Sequence, residues 1–203
     1  MIISEIKQTS AERFTLIFDN GTELKTSLGV VTDKFIHSGL ELSDEEYDEL
    51  YSASTLSLAK ARALRIINSR ALSEKELFGK LVEKGETPAN SELCVTWLRD
   101  MGLLNDSSYA SSLVRHYAAK GYGTIRVKQE LRRHGILSEL VDEAIGEMPE
   151  QDDYLERFIR SRLHDSSDKA QVKRVSDALF RKGYSWDEIK HALNNFKAET
   201  EEY

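Results

Sequence analysis

A helix-length pattern closing on a basic residue and a glycine occurs three times in this chain, at intervals of roughly 50 residues. Leu77-x-x-x-Leu81-x-x-Lys84-Gly85 is answered by Val127-x-x-x-Leu131-x-x-His134-Gly135 and again by Val175-x-x-x-Leu179-x-x-Lys182-Gly183. A second apolar pattern follows each glycine: Cys94-x-x-Trp97-Leu98, Val141-x-x-Ala144-Ile145 and Ile189-x-x-Ala192-Leu193. Apolar residues four apart line one helix face, and glycine just past a helix end takes up positive φ at little cost. The repeat therefore predicts tandem three-helix units, each too small to bury its apolar face alone. Arrays of this kind offer extended binding surfaces rather than enclosed catalytic pockets.

The boundaries expected from these patterns are a β-rich and helical extension over 1–55, then helical repeats over 56–105, 106–149 and 150–203. In the extension, Ile2-Ile3-x-x-Ile6, Phe14-x-Leu16-x-Phe18 and Leu24 alternate like strands around the turn Asp19-Asn20-Gly21. Ser43-Asp44-Glu45-Glu46 reads as a capping box opening a helix that bends near Ser52–Ser57 and continues to Asn68, with Ala61, Leu64 and Ile67 inward. Ser73 and Ser185 read as further helix starts, and a helix is expected from about Ser91 to Met101. Trp97 and Trp186 fall in or beside apolar patterns and are assigned to the core. Cys94, in register with Val141 and Ile189, is read as a small buried hydrophobe. Glu199–Tyr203 is expected to be a frayed acidic end.

Charge narrows the function. The net charge is −7, but residues 1–55 carry 4 Lys/Arg against 11 Asp/Glu and so hold a balance of −7 themselves. A globally acidic chain disfavours strong nonspecific nucleic-acid binding. Residues 115–134 depart from this: Arg115, Lys120, Arg126, Lys128, Arg132 and Arg133 face a single carboxylate, Glu130. Two readings stay open for them, a solvated helix face with ordinary Glu–Arg pairs or a positive strip that meets an acidic protein or phosphate backbone.

Catalytic and metal chemistry find little support. His37, His116, His134, His164 and His191 form no HExxH pattern, and one cysteine makes no zinc cluster. Gly121-Tyr122-Gly123 lacks the third glycine or Gly-Lys-Ser/Thr of a phosphate loop; it reads instead as a tight interhelical link with Tyr122 packed on the neighbouring unit. No catalytic residue, metal or cofactor is expected. The lone cysteine suits a reducing cytoplasm, the start Met1-Ile2-Ile3-Ser4-Glu5 lacks signal-peptide features, and no apolar run approaches the ~18 residues of a membrane span.

Across residues 60–197 the chain resembles the RecX family, bacterial regulators of the RecA recombinase. The resemblance is carried by Arg70-x-x-Ser73-x-x-Glu76-Leu77-x-x-x-Leu81-x-x-Lys84-Gly85, by Leu98-x-x-x-Gly102-Leu103-Leu104-Asn105-Asp106-x-x-Tyr109-Ala110, and by Gly121-x-Gly123-x-x-Arg126-x-x-x-Glu130-Leu131-x-x-x-Gly135-Ile136. It implies a mainly α fold, three tandem helix-turn-helix-like repeats in a curved array behind a small N-terminal β extension. It further implies a cytoplasmic monomer that lodges in the groove of a RecA filament and lowers ATPase, strand-exchange and coprotease activity, with weaker contact to single- or double-stranded DNA. Arg115, Lys120, Arg126, Lys128, Arg132 and Arg133 are the candidate partner-facing residues. The acidic total puts independent DNA binding in question. A helix-turn-helix-like DNA-binding protein and a solenoid adaptor for an unrelated protein are the alternatives.

Overall fold

The computed structural model describes residues 1–201, which form two compact units, Met1–Leu104 and Asn105 onward. The first begins with a three-stranded antiparallel sheet, β1 (Ile3–Ser10), β2 (Arg13–Phe18) and β3 (Glu23–Ser27), in the order β1-β2-β3. The expected Asp19-Asn20-Gly21 turn joins β2 to β3: Gly21 has φ 80° and its N–H donates to the Phe18 carbonyl at 2.9 Å. Ile3, Leu16, Phe18 and Leu24 turn inward from the sheet against Val30, Ile36, Leu42 and Leu50. Val30 lies on the short helix α1 (Leu28–Asp33) and Leu50 on the long helix α2 (Asp44–Ile67).

Helix α2 opens with the expected capping box. The Ser43 hydroxyl accepts from the Glu46 N–H at 3.2 Å, and the Glu46 carboxylate accepts from the Ser43 N–H at 2.8 Å. The helix does not break at Ser52–Ser57, where the run of hydroxyls points to a bend. Two of those hydroxyls pair with the sheet instead: Ser54 Oγ donates to Thr26 Oγ1 at 2.8 Å in the buried interior, and Ser57 pairs with Ser27 at 2.6 Å, while Thr55 Oγ1 donates back to the Ser52 carbonyl at 3.0 Å. One continuous helix thus serves two cores. Its first half covers the sheet, and its second half presents Ala59 and Ala63, both fully buried, to α3 (Glu74–Glu83) and α4 (Pro88–Asp100). The buried face is centred on these small residues rather than on Ala61, Leu64 and Ile67, which are half-buried. Small side chains let the three helix axes approach closely around Leu77, Leu81, Cys94 and Leu98. Helix α4 starts earlier than expected because Thr87 caps it and Pro88 occupies its first turn, where a missing N–H costs nothing.

The second unit holds two more triads. Helices α5 (Asp106–Ala119), α6 (Thr124–Arg133) and α7 (Ser138–Gly146) enclose Val114, Val127, Leu131 and Val141. Helices α8 (Asp152–Arg160), α9 (Lys169–Arg181) and α10 (Trp186–Glu201) enclose Ile159, Val175, Leu179 and Ile189. The repeat seen in the sequence is a repeat of one helix ending. The N–H groups of Gly85, Gly135 and Gly183 reach back to Val82, Arg132 and Phe180 at 2.9, 3.0 and 2.9 Å. Those of Glu86, Ile136 and Tyr184 reach Leu81, Leu131 and Leu179 at 3.0, 3.1 and 3.3 Å. These are paired Schellman bonds, and the three glycines have φ of 89°, 82° and 90°.

Trp186 departs from its assignment: it is 60% exposed. Tyr184, two residues earlier, takes the core position and is fully buried, which leaves Trp186 on the outer side of the first turn of α10. Trp97 is half-buried against the first triad, with Lys60 Nζ 4.9 Å from its ring centre. Helix α10 continues through Glu201; of the expected frayed end, Glu202 and Tyr203 lie outside the described residues.

Candidate functional site

Helix α6 is amphipathic because its apolar residues fall four apart. Val127 and Leu131 are fully buried, while Arg126, Lys128, Arg132 and Arg133 occupy the flanks and outer face. Having no acidic residue in its first turn and two arginines in its last, the helix places positive charge beside its own negative dipole end. Arg115 and Lys120 come from the end of α5, so all six expected residues belong to one triad.

The structure divides these six cations. Arg126 Nη2 lies 2.7 Å from Glu130 Oε1, and Arg133 Nη2 lies 2.9 Å from Glu130 Oε2. Glu130 is buried at 5% exposure, so one carboxylate is clamped between two guanidinium groups. The Arg133 contact is an ion pair rather than a directed hydrogen bond, since Glu130 Oε2 has no hydrogen-bond partner among the described residues. Lys128 Nζ pairs with Asp142 of α7 at 2.8 Å, and that hydrogen bond holds the Asp142 carboxyl below the usual carboxylate range. Arg115, Lys120 and Arg132 are exposed and have no carboxylate within ion-pair distance among the described residues. Arg115 donates to Ser112 Oγ at 3.3 Å, and Lys120 Nζ sits 5.6 Å from the Tyr117 ring centre. The Glu–Arg pairing is present at Arg126 and Arg133, and an outward cationic surface of Arg115, Lys120 and Arg132 lies beside it.

His134, at the end of α6, ties this helix to α5. Its Nδ1 lies 3.3 Å from the Tyr109 hydroxyl and its Nε2 lies 3.3 Å from the Tyr117 hydroxyl. The site is fixed on the other side by a joint between the two triads of this unit. The Gly123 N–H donates to the Lys182 carbonyl at 2.9 Å, and the Ile125 N–H donates to the Gly183 carbonyl at 3.0 Å. Such backbone approach requires glycines: a Cβ on Gly123 would lie 2.4 Å from the Gly183 carbonyl oxygen, and one on Gly121 only 2.0 Å from the Tyr154 ring. Gly123 therefore sits at a contact between backbones, and Gly121 leaves room for the Tyr154 ring. Tyr122 faces the neighbouring triad as expected, with Lys182 Nζ 5.3 Å from its ring centre and equally far from that of Tyr154.

Sequence reasoning did not place Lys182 at this joint. A signal was present in the shared position of Lys182-Gly183 and His134-Gly135 after equivalent helices, but nothing in a linear pattern shows which helix end meets a neighbour. Among the described residues no group of three or more His, Cys, Asp or Glu could hold a metal ion, and no helix is long and apolar enough to cross a membrane. Cys94 is fully buried, and desolvation pushes its thiol up to about 11.

Residues 105–145 match the family described as RecX, second three-helix domain. Over 146 residues the chain is 32% identical to the regulatory protein RecX of Vibrio campbellii, covering 70% of this chain and 93% of that one. It is 34% identical over 136 residues to the regulatory protein RecX of Stenotrophomonas maltophilia, covering 64% and 82% of the two chains. A crystal structure of a regulatory protein RecX shares the fold with a TM-score of 0.75 over 95% of this chain and 98% of that one, at 22% identity. The structure of RecX from Lactobacillus salivarius matches with a TM-score of 0.64, covering 72% of this chain and 99% of that one, also at 22% identity.

Proposed function

Because the chain belongs to the RecX family of regulatory proteins, we propose that it acts on the RecA filament, occupying its groove and lowering ATPase, strand-exchange and coprotease activity. It does so by occupancy, as a cytoplasmic monomer with no catalytic step and no cofactor. The extension over 1–55 and the repeats over 56–105, 106–149 and 150–203 act as successive modules, and modest contacts spread over them add through effective concentration. Any contact with DNA by the α6 face is secondary.

The observation that carries this reading is the cationic face of α6 and the end of α5. Arg115, Lys120 and Arg132 project from a triad whose helices are pinned by the His134 contacts and by the glycine joint. Fixed cations meet an acidic protein surface with little ordering cost, which favours docking over a flexible basic tail. Arg126, Lys128 and Arg133 flank this face; their internal carboxylates orient them, and they contribute mainly by shape and screened charge.

The test is RecA ATP hydrolysis on single-stranded DNA, titrated with the purified full-length protein. The wild type is expected to inhibit at stoichiometric amounts. Arg115→Glu with Arg132→Glu, which touches no internal ion pair, is expected to need at least about tenfold more protein. A folded double variant inhibiting as well as the wild type removes this face from the mechanism. A wild type that leaves RecA hydrolysis and filament length unchanged removes the function.

A further inference from the structure

Helix α1 closes as α3, α6 and α9 do, but without their glycine. The Phe35 N–H donates to the Thr32 carbonyl at 3.2 Å and the Ile36 N–H to the Val31 carbonyl at 2.9 Å, the same paired bonds. The residue in the glycine position is Phe35, with φ 50°, the one positive φ outside glycine among the described residues. A side chain in that region costs energy that glycine avoids. Ile36 takes the core slot of the turn and is buried. The Phe35 ring is left 83% exposed, more than any other large hydrophobic among the described residues. Backbone strain and apolar exposure both disfavour phenylalanine here in the isolated chain. Burial of the ring against another surface offsets both.

The surroundings of the ring are acidic. Residues 33–49 hold seven Asp/Glu and one Lys. Lys34 pairs with Glu49 at 3.3 Å, which lays the exposed start of α2, with Asp44, Glu45 and Asp48, beside the end of α1. An aromatic anchor in such a rim fits a cationic surface with an apolar floor, and the same unit carries one. An open hollow of about 450 Å³ is lined by Arg13, Arg62, Arg65, Arg70, Lys80 and Lys84, with Ile66 among them. Arg62 pairs with Glu86 at 2.8 Å and Arg70 with Glu76 at 3.4 Å. Arg13, Arg65, Lys80 and Lys84 have no carboxylate within ion-pair distance among the described residues. Anchor and hollow cannot meet within one chain. Along the unbroken helix α2, Arg62 lies about 20 Å beyond Glu49 at 1.5 Å per residue, and Phe35 is tied to the end of α1.

We propose that the Phe35 turn of one copy docks into the cationic hollow of a second copy, with the ring on Ile66 and the carboxylates of α2 against Arg65, Lys80 and Lys84. Opposite charge steers the encounter and fixes its register, and the ring supplies the buried anchor. Both surfaces are small, so the pairing is weak and fills only as concentration rises. It covers the hollow in the free protein, while the copy that acts on the filament is single. The α6 face takes no part, and the pairing does not rest on the RecA reading.

The test is sedimentation velocity of the full-length protein from about 1 to 500 μM, at low and high salt. The wild type is expected to gain mass with concentration and to lose that gain in high salt. A wild type that stays monomeric over the whole range overturns the proposal. Phe35→Gly, which restores the glycine of the other turns, should weaken association at least about tenfold while melting no lower than the wild type. A lower melt, or association as strong as the wild type's, overturns the anchor. Arg65→Glu/Lys84→Glu should weaken association by a similar factor. The decisive sample mixes the two variants, since each keeps the half that the other lacks: association absent from either alone should return. A mixture that stays monomeric overturns the pairing. A hollow variant that associates like the wild type overturns the hollow as the acceptor. Should that variant fail to fold, benzoylphenylalanine in place of Phe35 is irradiated with isotope-labelled wild-type protein. Cross-links to Ile66 or its neighbours in the hollow of the labelled copy support the pairing; cross-links elsewhere, or none, overturn it.

Discussion

The backbone N–H of Gly123 donates to the carbonyl of Lys182 across 2.9 Å, joining the start of α6 to the end of α9. The long stretch of intervening chain does not set this contact; two helix ends do. Each reaches it through a glycine next to the helix terminus, and the Ile125 N–H completes it on the Gly183 carbonyl. The joint has a chemical function beyond adhesion. The orphan carbonyls at the end of α9 and the orphan amides at the start of α6, which lacks a side-chain cap, satisfy one another.

Glycines of identical conformation should therefore differ in their tolerance of alanine. Gly85 and Gly183 have φ of 89° and 90°, but a Cβ on Gly85 meets nothing within 4 Å, whereas one on Gly183 would lie 2.3 Å from the Arg126 Cβ. Gly85→Ala bears only the left-handed backbone cost of about 1–2 kcal/mol. Gly183→Ala adds the expulsion of α6 from the joint and is expected to lose about 2–5 kcal/mol. Urea denaturation of the two variants side by side checks the ordering, and equal losses would show that the joint contributes no stability.

The contrast between these sites marks what a linear reading can reach. The Schellman glycines and the capping boxes at Ser43 and Ser73 are local, their partners lying within six residues, and they were legible. So was the α6 face, because Arg126 to Arg133 are neighbours in sequence. The joint between Gly123 and Lys182 was not: its two ends lie far apart in the chain, and only the folded arrangement of the two triads brings them together. Trp186 misled because helical spacing fixes a face only to within a residue, and Tyr184 filled the slot. The α2 register shifted for a related reason: three closely packed helices select the smallest side chains, Ala59 and Ala63, which carry little apolar signal.

The capping box on α2 predicts an acid-sensitive helix start. The Ser43 N–H, then its hydroxyl, hold the Glu46 carboxyl below its ordinary value. A depressed folded pKa contributes stability above the unfolded value of about 4.3, lost as pH falls through the folded one. The stability gap between wild type and Glu46→Gln should accordingly be constant near neutrality and close below about pH 4. Thermal melts at stepped pH measure it. A gap that widens in acid would mean that the carboxylate does not accept from Ser43 in solution.

Glu130 is expected to matter more for the α6 face than any single arginine. Removing its charge leaves Arg126 and Arg133, which it now holds at 2.7 and 2.9 Å, without their shared counter-ion. Both arginines keep access to water, so Glu130→Gln should lose only about 1–2 kcal/mol. The larger effect is on geometry, with Arg133 released and Arg126 free to leave the Gly183 surface. Crystallography or side-chain NMR of the variant should find both guanidinium groups reoriented. Unmoved arginines would assign their placement to packing alone.

Cys94 provides a test of the first triad that is independent of any partner. Its thiol is buried among Leu77, Leu81 and Leu98, and desolvation raises it to about 11. In the folded protein it should therefore resist a thiol reagent at mildly alkaline pH and react at the normal rate once urea unfolds the chain. The equivalent positions in the other triads hold Val141 and Ile189, so Cys94→Val should be tolerated within about 1.5 kcal/mol. Cys94→Ser buries a hydroxyl in an apolar setting and should cost about 1–3 kcal/mol. Labelling rates and denaturation curves separate the cases. Rapid labelling of the native protein would mean that α4 opens from α2 and α3 far more readily than their shared core allows.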